Sequence, residues 1–139
     1  MPASTQFSIA VHILAGLGFA PAGDATSARL AESVNTSRSF VRRVLAKLSK
    51  AGLVSTTMGK TGSCTLARSP EQITLLDIYK AVDAPQAFAI HDYPEQAKCP
   101  VSCSIKRSLS RVLDRSQHSF EASLGEMTLA DVIGDLPDQ

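Results

Sequence analysis

The segment of residues 26–67 constrains the fold of this chain more than any other part of the sequence. Thr26 can cap a short helix, because its hydroxyl can accept a hydrogen bond from an unpaired N–H of the first turn. The helical pattern breaks at Asn35, and Thr36 offers a second cap, so a second helix is predicted to begin near Ser37. Two short helices joined by such a turn are typical of a helix-turn-helix.

The predicted second helix, residues 37–51, separates its side chains into an apolar side and a basic side. Apolar residues at helical spacing form one stripe, which consists of Phe40, Val41, Val44, Leu45 and Leu48. The other faces carry Arg38, Ser39, Arg42, Arg43 and Lys50. One side can therefore pack against protein while the other stays free. An ordinary surface helix with solvated arginines has the same pattern, so the context decides between the two interpretations.

A β-hairpin is predicted directly after this helix. Residues 53–57 and 64–67 are rich in β-branched and aliphatic side chains, and glycines lie between them. Lys60 and Thr61 would lie at the tip, where a cation and a hydroxyl can meet a phosphate. The order of elements predicts a winged helix-turn-helix that binds duplex DNA. The predicted DNA contacts are Ser37, Arg38, Ser39, Arg42 and Arg43 in the helix and Lys60 and Thr61 in the wing.

Charge is distributed unevenly along the chain. The formal net charge is only +1, whereas many nucleic-acid binders are strongly basic. Between Arg29 and Arg68, however, Glu32 is the only acidic residue, and acidic residues gather in residues 77–95 and 114–138. This asymmetry favours DNA contact through one face of the molecule.

Helical patterns fill most of the remaining chain, so the predicted fold class is mainly α with a small β-hairpin wing. A first helix is predicted to end near Gly18, and Thr74 is predicted to cap a later helix that Pro85 closes. We divide the chain into a winged helix-turn-helix domain, residues 1–84, and a second part, residues 85–139. The second part holds a linker loop with a short extended piece, a long helix and a C-terminal helix.

The predicted long helix, residues 100–124, carries a stripe that a small domain cannot cover by itself. Its members are Ile105, Leu109, Val112, Ser116, Phe120 and Leu124. The simplest cover is the same helix of a second copy, which predicts a homodimer. Two recognition helices related by a two-fold axis reach major-groove faces about 34 Å apart, which predicts a palindromic operator in double-stranded DNA. The last helix, residues 128–136, is predicted to pack back onto the dimer or the DNA-binding domain.

Composition argues for a small cytoplasmic binding protein. The chain has 139 residues, and its hydrophobic content of 44% can fill one core of ordinary size. It contains no apolar run that could span a bilayer and no secretory signal pattern, which predicts a cytoplasmic location without membrane contact. A thiol oxidoreductase would need a Cys-x-x-Cys motif, which the sequence lacks. A winged helix used only for protein contacts remains an alternative.

Three cysteines, Cys64, Cys99 and Cys103, are candidates for redox sensing. Cys99 stands beside Lys98 and just before Pro100, which favours the first position of a helix. Unpaired N–H groups at a helix start favour a reactive thiolate at Cys99, and Cys103 lies one turn further on. Cys64 can be a buried strand residue or a partner for either of the others across a dimer. Inert thiols and metal ligands are the other possibilities.

Three runs of sequence carry a resemblance to a known family: residues 45–54, 59–63 and 66–78. The specific part is the last run, Leu-Ala-Arg-Ser-Pro-Glu-Gln-Ile-Thr-Leu-Leu-Asp-Ile. The chain resembles the Rrf2-type bacterial transcription regulators from about Thr5 to Leu136. The resemblance implies a winged-helix repressor with a dimerisation helix and no enzymatic activity. Where the family wing usually has paired glycines, Gly62 is followed here by Ser63 and Cys64.

The resemblance also bears on sensing. Tyr93-Pro94 followed by Cys99-Pro100-Val101 is similar to the family subgroup in which a cysteine at this place responds to reactive oxygen, chlorine or electrophilic species. Cluster-binding members carry three cysteines close together in this region, whereas this chain has two. We therefore predict no cofactor and no metal site. An iron-sulfur cluster or a zinc ion completed by His91 or His118 is the competing prediction.

Overall fold

A computed structural model of the chain describes residues 4–19, 25–56 and 63–137. Within these ranges the order of elements is α1 (Gln6–Phe19), α2 (Ser27–Val34), α3 (Arg38–Lys50), β1 (Val54–Thr56), β2 (Cys64–Leu66), a 3-10 turn (Pro70–Gln72), α4 (Leu75–Ala81), α5 (Pro100–Gly125) and α6 (Leu129–Gly134). The predicted fold class, mainly α with a small β-hairpin wing, is confirmed.

The helix-turn-helix is formed by α2 and α3. The Thr26 hydroxyl accepts from the Arg29 N–H at 3.2 Å, as predicted. Asn35 ends α2 in the left-handed conformation, at φ 66°, which asparagine tolerates better than most residues. The prediction that Thr36 caps α3 is wrong, because the Thr36 N–H still belongs to the end of α2 and donates to the Ala31 carbonyl at 3.0 Å. The N-cap of α3 is Ser37, one residue later.

A Schellman motif leads from α3 into the hairpin. Gly52 adopts φ 78°, which a residue with a Cβ atom adopts only with strain. The Leu53 N–H donates to the Leu48 carbonyl and the Gly52 N–H to the Ser49 carbonyl, both at 3.0 Å. Leu53 is thereby turned into the core, so the motif fixes the direction in which β1 leaves α3.

The core lies around α1, which packs against α2, α3, α4, α6 and β2. Its fully buried members include Ile13 of α1, Leu48 of α3 and Ile78 of α4. The predicted inner face of α4 is confirmed, since Leu75, Ile78 and Val82 are all buried. Burial of these apolar side chains is the dominant favourable term in the folding of such a domain.

The C-terminal helix returns to the first half of the chain. Thr74 and Thr128 form an antiparallel β-bridge, and each caps the helix that follows it through a capping box with the aspartate three residues on. Leu129 is fully buried, and its N–H donates to the Ile73 carbonyl at 2.8 Å. Of the two predicted positions for this helix, the structure shows the one against α1 and the 3-10 turn.

The long helix α5 packs mainly against α4. Of its residues, all of which the structure describes, only Gln117 and Leu124 are buried. Along the predicted stripe, Val112 remains 54% exposed and Phe120 41% exposed. No helix in the described part of the chain, α5 included, combines the length and the apolarity that crossing a membrane requires.

The segment between α4 and α5 is irregular. Helix α4 ends at Ala81, earlier than the predicted closure by Pro85, because Asp83 takes a left-handed conformation at φ 50°. Residues 84–98, all described, contain no strand, so the predicted extended piece is absent as a strand. Pro85 and Pro94, which lack an N–H, fit this irregular path.

Candidate DNA-binding surface and cysteine site

The predicted DNA-contacting residues of α3 lie together on its exposed side. Arg38, Ser39, Arg42 and Arg43 are exposed, whereas Val41, Val44, Leu45 and Leu48 on the opposite side are buried. Ser37 caps the helix, and its hydroxyl accepts from the Phe40 N–H at 3.2 Å. The cap fixes the start of α3 at Arg38, which is exposed in the first turn.

Arg38, Arg42 and Arg43 differ in the contacts that their side chains make. Within the described ranges, the structure gives Arg38, Arg42 and Arg43 no carboxylate partner. The Arg43 guanidinium lies 5.3 Å from the centre of the Phe40 ring, a cation–π contact that orients it along the helix. Lys47 differs, because its ammonium donates to the Gln6 side chain at 2.9 Å and thus ties α3 to α1. The arginines keep their hydrogen-bonding capacity for a ligand.

The wing is attached to the helix-turn-helix by backbone hydrogen bonds. Its strands pair antiparallel with Ser55 opposite Thr65, and the Cys64 N–H donates to the Ala25 carbonyl at 3.0 Å. The strand that ends the wing is therefore joined to the segment that starts α2. Lys60 and Thr61, the predicted tip contacts, lie outside the described residues.

Cys99 is the N-cap residue of α5, as predicted, and it is exposed. Its Sγ accepts a hydrogen bond from the Ser102 N–H at 3.4 Å, and Pro100 occupies the first turn. Its carbonyl accepts from the Cys103 N–H at 3.1 Å. The sulfur therefore lies at the positive end of the helix dipole.

Cys103 is also exposed and lies one turn into α5. Its Sγ donates to the Gln96 carbonyl at 3.4 Å and to the Ala97 carbonyl at 3.6 Å. The Gln96 N–H donates to the Ser102 hydroxyl at 2.7 Å, so the preceding loop is bound to the first turn of α5. A reaction at the Cys103 sulfur therefore disturbs hydrogen bonds between this loop and the helix.

Cys64, the third predicted redox residue, is a buried strand residue that is 4% exposed. Burial raises the pKa of the Cys64 thiol, because the thiolate is poorly stabilised away from water. Of the two possibilities raised by the sequence, the structure favours the buried strand residue. Cys64 is the least accessible of the three thiols.

The comparisons with known proteins agree with this geometry. The family model that describes Rrf2, an iron-dependent transcriptional regulator, matches residues 3–135. The chain belongs to the Rrf2 family. The predicted family is thus confirmed, and the chain is a winged-helix transcription regulator and not an enzyme.

Individual relatives are similar over nearly their whole length. The "Putative HTH-type transcriptional regulator YwnA" of Bacillus subtilis (strain 168) is 33% identical over 135 residues, which cover 96% of this chain and 98% of that protein. A crystal structure described as that of "a putative DNA binding protein" is 30% identical, with a TM-score of 0.75 over 92% of this chain and 98% of that one. CymR, the global cysteine regulator of B. subtilis, shares the fold at 22% identity and a TM-score of 0.71, over 99% of both chains.

The iron dependence in the family description raises the question of a metal site. Iron-sulfur clusters in proteins are commonly held by cysteine thiolates at most or all of their ligand positions. In the described ranges, no three side chains of His, Cys, Asp or Glu converge as a metal site would require. Near the start of α5 the chain offers only Cys99 and Cys103, and the Cys103 sulfur faces two backbone carbonyls. These residues do not fit an iron-sulfur cluster within one chain.

Sequence reasoning missed a buried polar contact between α4 and α5. The Gln117 amide donates to the Tyr79 hydroxyl at 2.9 Å, and the Gln117 carbonyl oxygen accepts from the Ala87 N–H at 3.1 Å. The Tyr79 hydroxyl in turn donates to the Pro85 carbonyl at 2.7 Å. The sequence contains a signal for this contact, because Gln117 lies beside the apolar stripe of an amphipathic helix. A glutamine that is buried at such a position needs a hydrogen-bond partner.

Iodoacetamide should alkylate Cys99 and Cys103 well before Cys64 in the native protein, because the thiolate reacts and burial keeps Cys64 protonated. Mass spectrometry of timed, acid-quenched samples measures the three rates. As the pH rises, the alkylation rate of Cys64 should level off at a higher pH in the native protein than in the protein unfolded in guanidinium. In the unfolded protein, the alkylation rates of the three cysteines should converge. Equal native rates would show that Cys64 is accessible.

Proposed function

We propose that this protein is a homodimeric, sequence-specific DNA-binding repressor whose affinity for its operator falls when Cys99 is oxidised. The observation that carries the DNA-binding part is the exposed side of α3, on which Arg38, Arg42 and Arg43 have no carboxylate partner among the described residues, while the rear of the helix is buried. As a repressor that acts on the chromosome, it would work in the bacterial cytoplasm.

The start of α3 supplies the chemistry for reading DNA. Arginine forms bidentate hydrogen bonds to guanine in the major groove and to phosphates, and serine hydroxyls can contact either. Arg38 and Arg42 are four residues apart and thus share one face of the helix. We assign Ser39 and these arginines to the groove, and Lys60 and Thr61 of the wing to the flanking phosphates or minor groove.

Helix α5 supplies the dimer interface. Its outer side carries Val101, 66% exposed, and Val112, 54% exposed, on a helix that packs against its own chain mainly through α4. An apolar side left in water along a helix of 26 residues is best covered by its own copy across a two-fold axis. A palindromic operator follows from this symmetry.

Oxidation at Cys99 supplies the switch. The Cys99 thiolate attacks a peroxide oxygen, so an S–O bond forms, the O–O bond breaks and hydroxide leaves. The Cys103 thiol then attacks the sulfur of the sulfenic acid, which forms an S–S bond and releases water. The two cysteines thus lose two electrons in total. The hydroxide takes up the proton that the Cys99 thiol released on ionisation, so the peroxide is reduced to two waters.

The disulfide acts on DNA binding through the start of α5. A bond between the two sulfurs removes the hydrogen bonds of Cys103 to Gln96 and Ala97 and strains the first turn. Residues 84–98 connect this turn to α4, and α4 packs against α3. A small rotation of α5 against α4 in both subunits would place the two α3 helices out of register with their half-sites.

Replacing Arg42 with glutamine should weaken operator binding about tenfold and lower the slope of log K against log salt by about one, because one phosphate or base contact is lost. Fluorescence anisotropy across a salt series measures both. Arg107→Gln removes the same charge from the polar side of α5 and should change neither. Wild-type affinity in Arg42→Gln, or binding without salt dependence, would instead support a winged helix used for protein contacts.

Replacing Val112 with aspartate should convert the dimer to monomers, because a carboxylate would be buried without a partner in the interface. Sedimentation equilibrium measures the mass of the species in solution. The affinity for the operator should fall together with that mass. The matched control is Ala122→Asp, an exposed position on the polar side of α5, which should remain dimeric. A dimeric Val112→Asp variant would place the interface elsewhere.

Replacing Cys99 with serine should leave operator binding by the reduced protein intact and abolish the loss of binding after peroxide. Cys103→Ser should still form a sulfenic acid at Cys99, which dimedone traps and mass spectrometry detects, but no disulfide. A Cys99→Ser variant that still releases DNA after peroxide would contradict the proposed switch.

A further inference from the structure

A cavity of about 310 Å³ opens between α1, α4, α5 and the segment that follows α4. Three aromatic rings from three helices form its wall, namely Phe7, Tyr79 and Phe120, and Ser4 and residues 84–87 complete it. The Tyr79 ring meets Phe7 edge to face at 6.0 Å between ring centres and Phe120 at 5.6 Å. These contacts hold the wall in one arrangement, because such ring pairs add attraction beyond the area they bury.

The lining selects against charge. Among the described residues, no ionisable side chain other than that of Tyr79 lines the cavity. The Tyr79 hydroxyl is already engaged, since it accepts from Gln117 and donates to the Pro85 carbonyl. Ser4 and Gln86 are the other polar side chains that the described residues contribute to the lining. A charged ligand would gain no ionic partner from this lining, whereas an apolar ring would gain contact with the aromatic wall.

The size of the cavity selects for a small ligand. Its volume lies at the lower end of the range for small-molecule sites. A second cavity of about 160 Å³ lies on the other side of Phe120 and Ala87, where Phe88 and Leu113 add apolar surface. The geometry points to a binding site for a small uncharged aromatic molecule with one or two rings, stacked among Phe7, Tyr79 and Phe120. This site is separate from the cysteines and from the DNA-binding surface.

Binding is tested on the reduced, full-length protein without DNA, so the result does not depend on the proposed function. The probe is 5-fluoroindole, observed by fluorine NMR, with transferred NOEs that identify the contacting side chains. Saturable broadening with NOEs to the Phe7 and Phe120 rings is the expected result. No saturable binding, or NOEs that place the probe elsewhere, would overturn the proposal.

Two variants make the test specific. Ala87→Leu adds bulk at the cavity wall and should weaken probe binding at least about tenfold, a difference of about 1.4 kcal/mol. Ala89→Leu makes the same change two positions further on, at a residue that lines neither cavity, and should bind as the wild type. Equal binding by both variants would contradict the site. NOEs at the Ala84 and Ala87 methyls between two differently labelled copies of the protein would also contradict the site, because they would show that a second copy fills the cavity.

Discussion

The buried contact between Gln117 and Tyr79 is the interaction on which the proposed link between sensing and DNA binding depends. Helix α5 is long and largely exposed, and it meets the rest of its chain mainly at α4. At that junction a single glutamine joins three elements, because it binds the Tyr79 hydroxyl of α4 and the Ala87 N–H of the loop. A buried polar contact of this kind has few alternative partners, so it fixes one register between the helices.

The two ends of the loop between α4 and α5 are both tied down. Pro85 and Ala87 are bound by Tyr79 and Gln117, and Gln96 is bound by Ser102 and Cys103 at the other end. The Lys106 ammonium also donates to the Tyr93 carbonyl. A change at the Cys103 sulfur therefore acts on a segment whose far end is fixed to α4. A displacement caused by the proposed oxidation can therefore be transmitted through this loop to α4 and from α4 to α3.

Much of the fold followed from the sequence, because local chemistry decides where helices begin and end. Thr74 and Pro100 marked the starts of α4 and α5, and the apolar spacing of α3 gave its buried side. The cap of α3 was misplaced by one residue, since Thr36 and Ser37 are equally suited to the role and only the end of α2 decides between them. Such competition between neighbouring residues is settled by backbone geometry that composition does not encode.

The candidate site was predictable in part. The exposed arginines and the position of Cys99 came from spacing, whereas the burial of Cys64 depends on the pairing of β2 with the segment before α2, a contact distant in sequence. The ring cluster of Phe7, Tyr79 and Phe120 is also beyond sequence reasoning, because it joins three helices through their tertiary packing. Periodicity indicates which side of a helix is buried, but it does not indicate which other element packs against that side.

In the proposed mechanism, oxidation changes the placement of the two α3 helices in the dimer. The most direct measurement is the distance between spin labels on α3 by double electron–electron resonance. The label is attached through p-acetylphenylalanine at Ala46, an exposed residue of α3, so that no cysteine is needed. We expect a narrow distance distribution in the reduced dimer, a displaced or broadened one after peroxide, and recovery with dithiol. An identical distribution in both states, while operator affinity falls, would contradict the proposed mechanism.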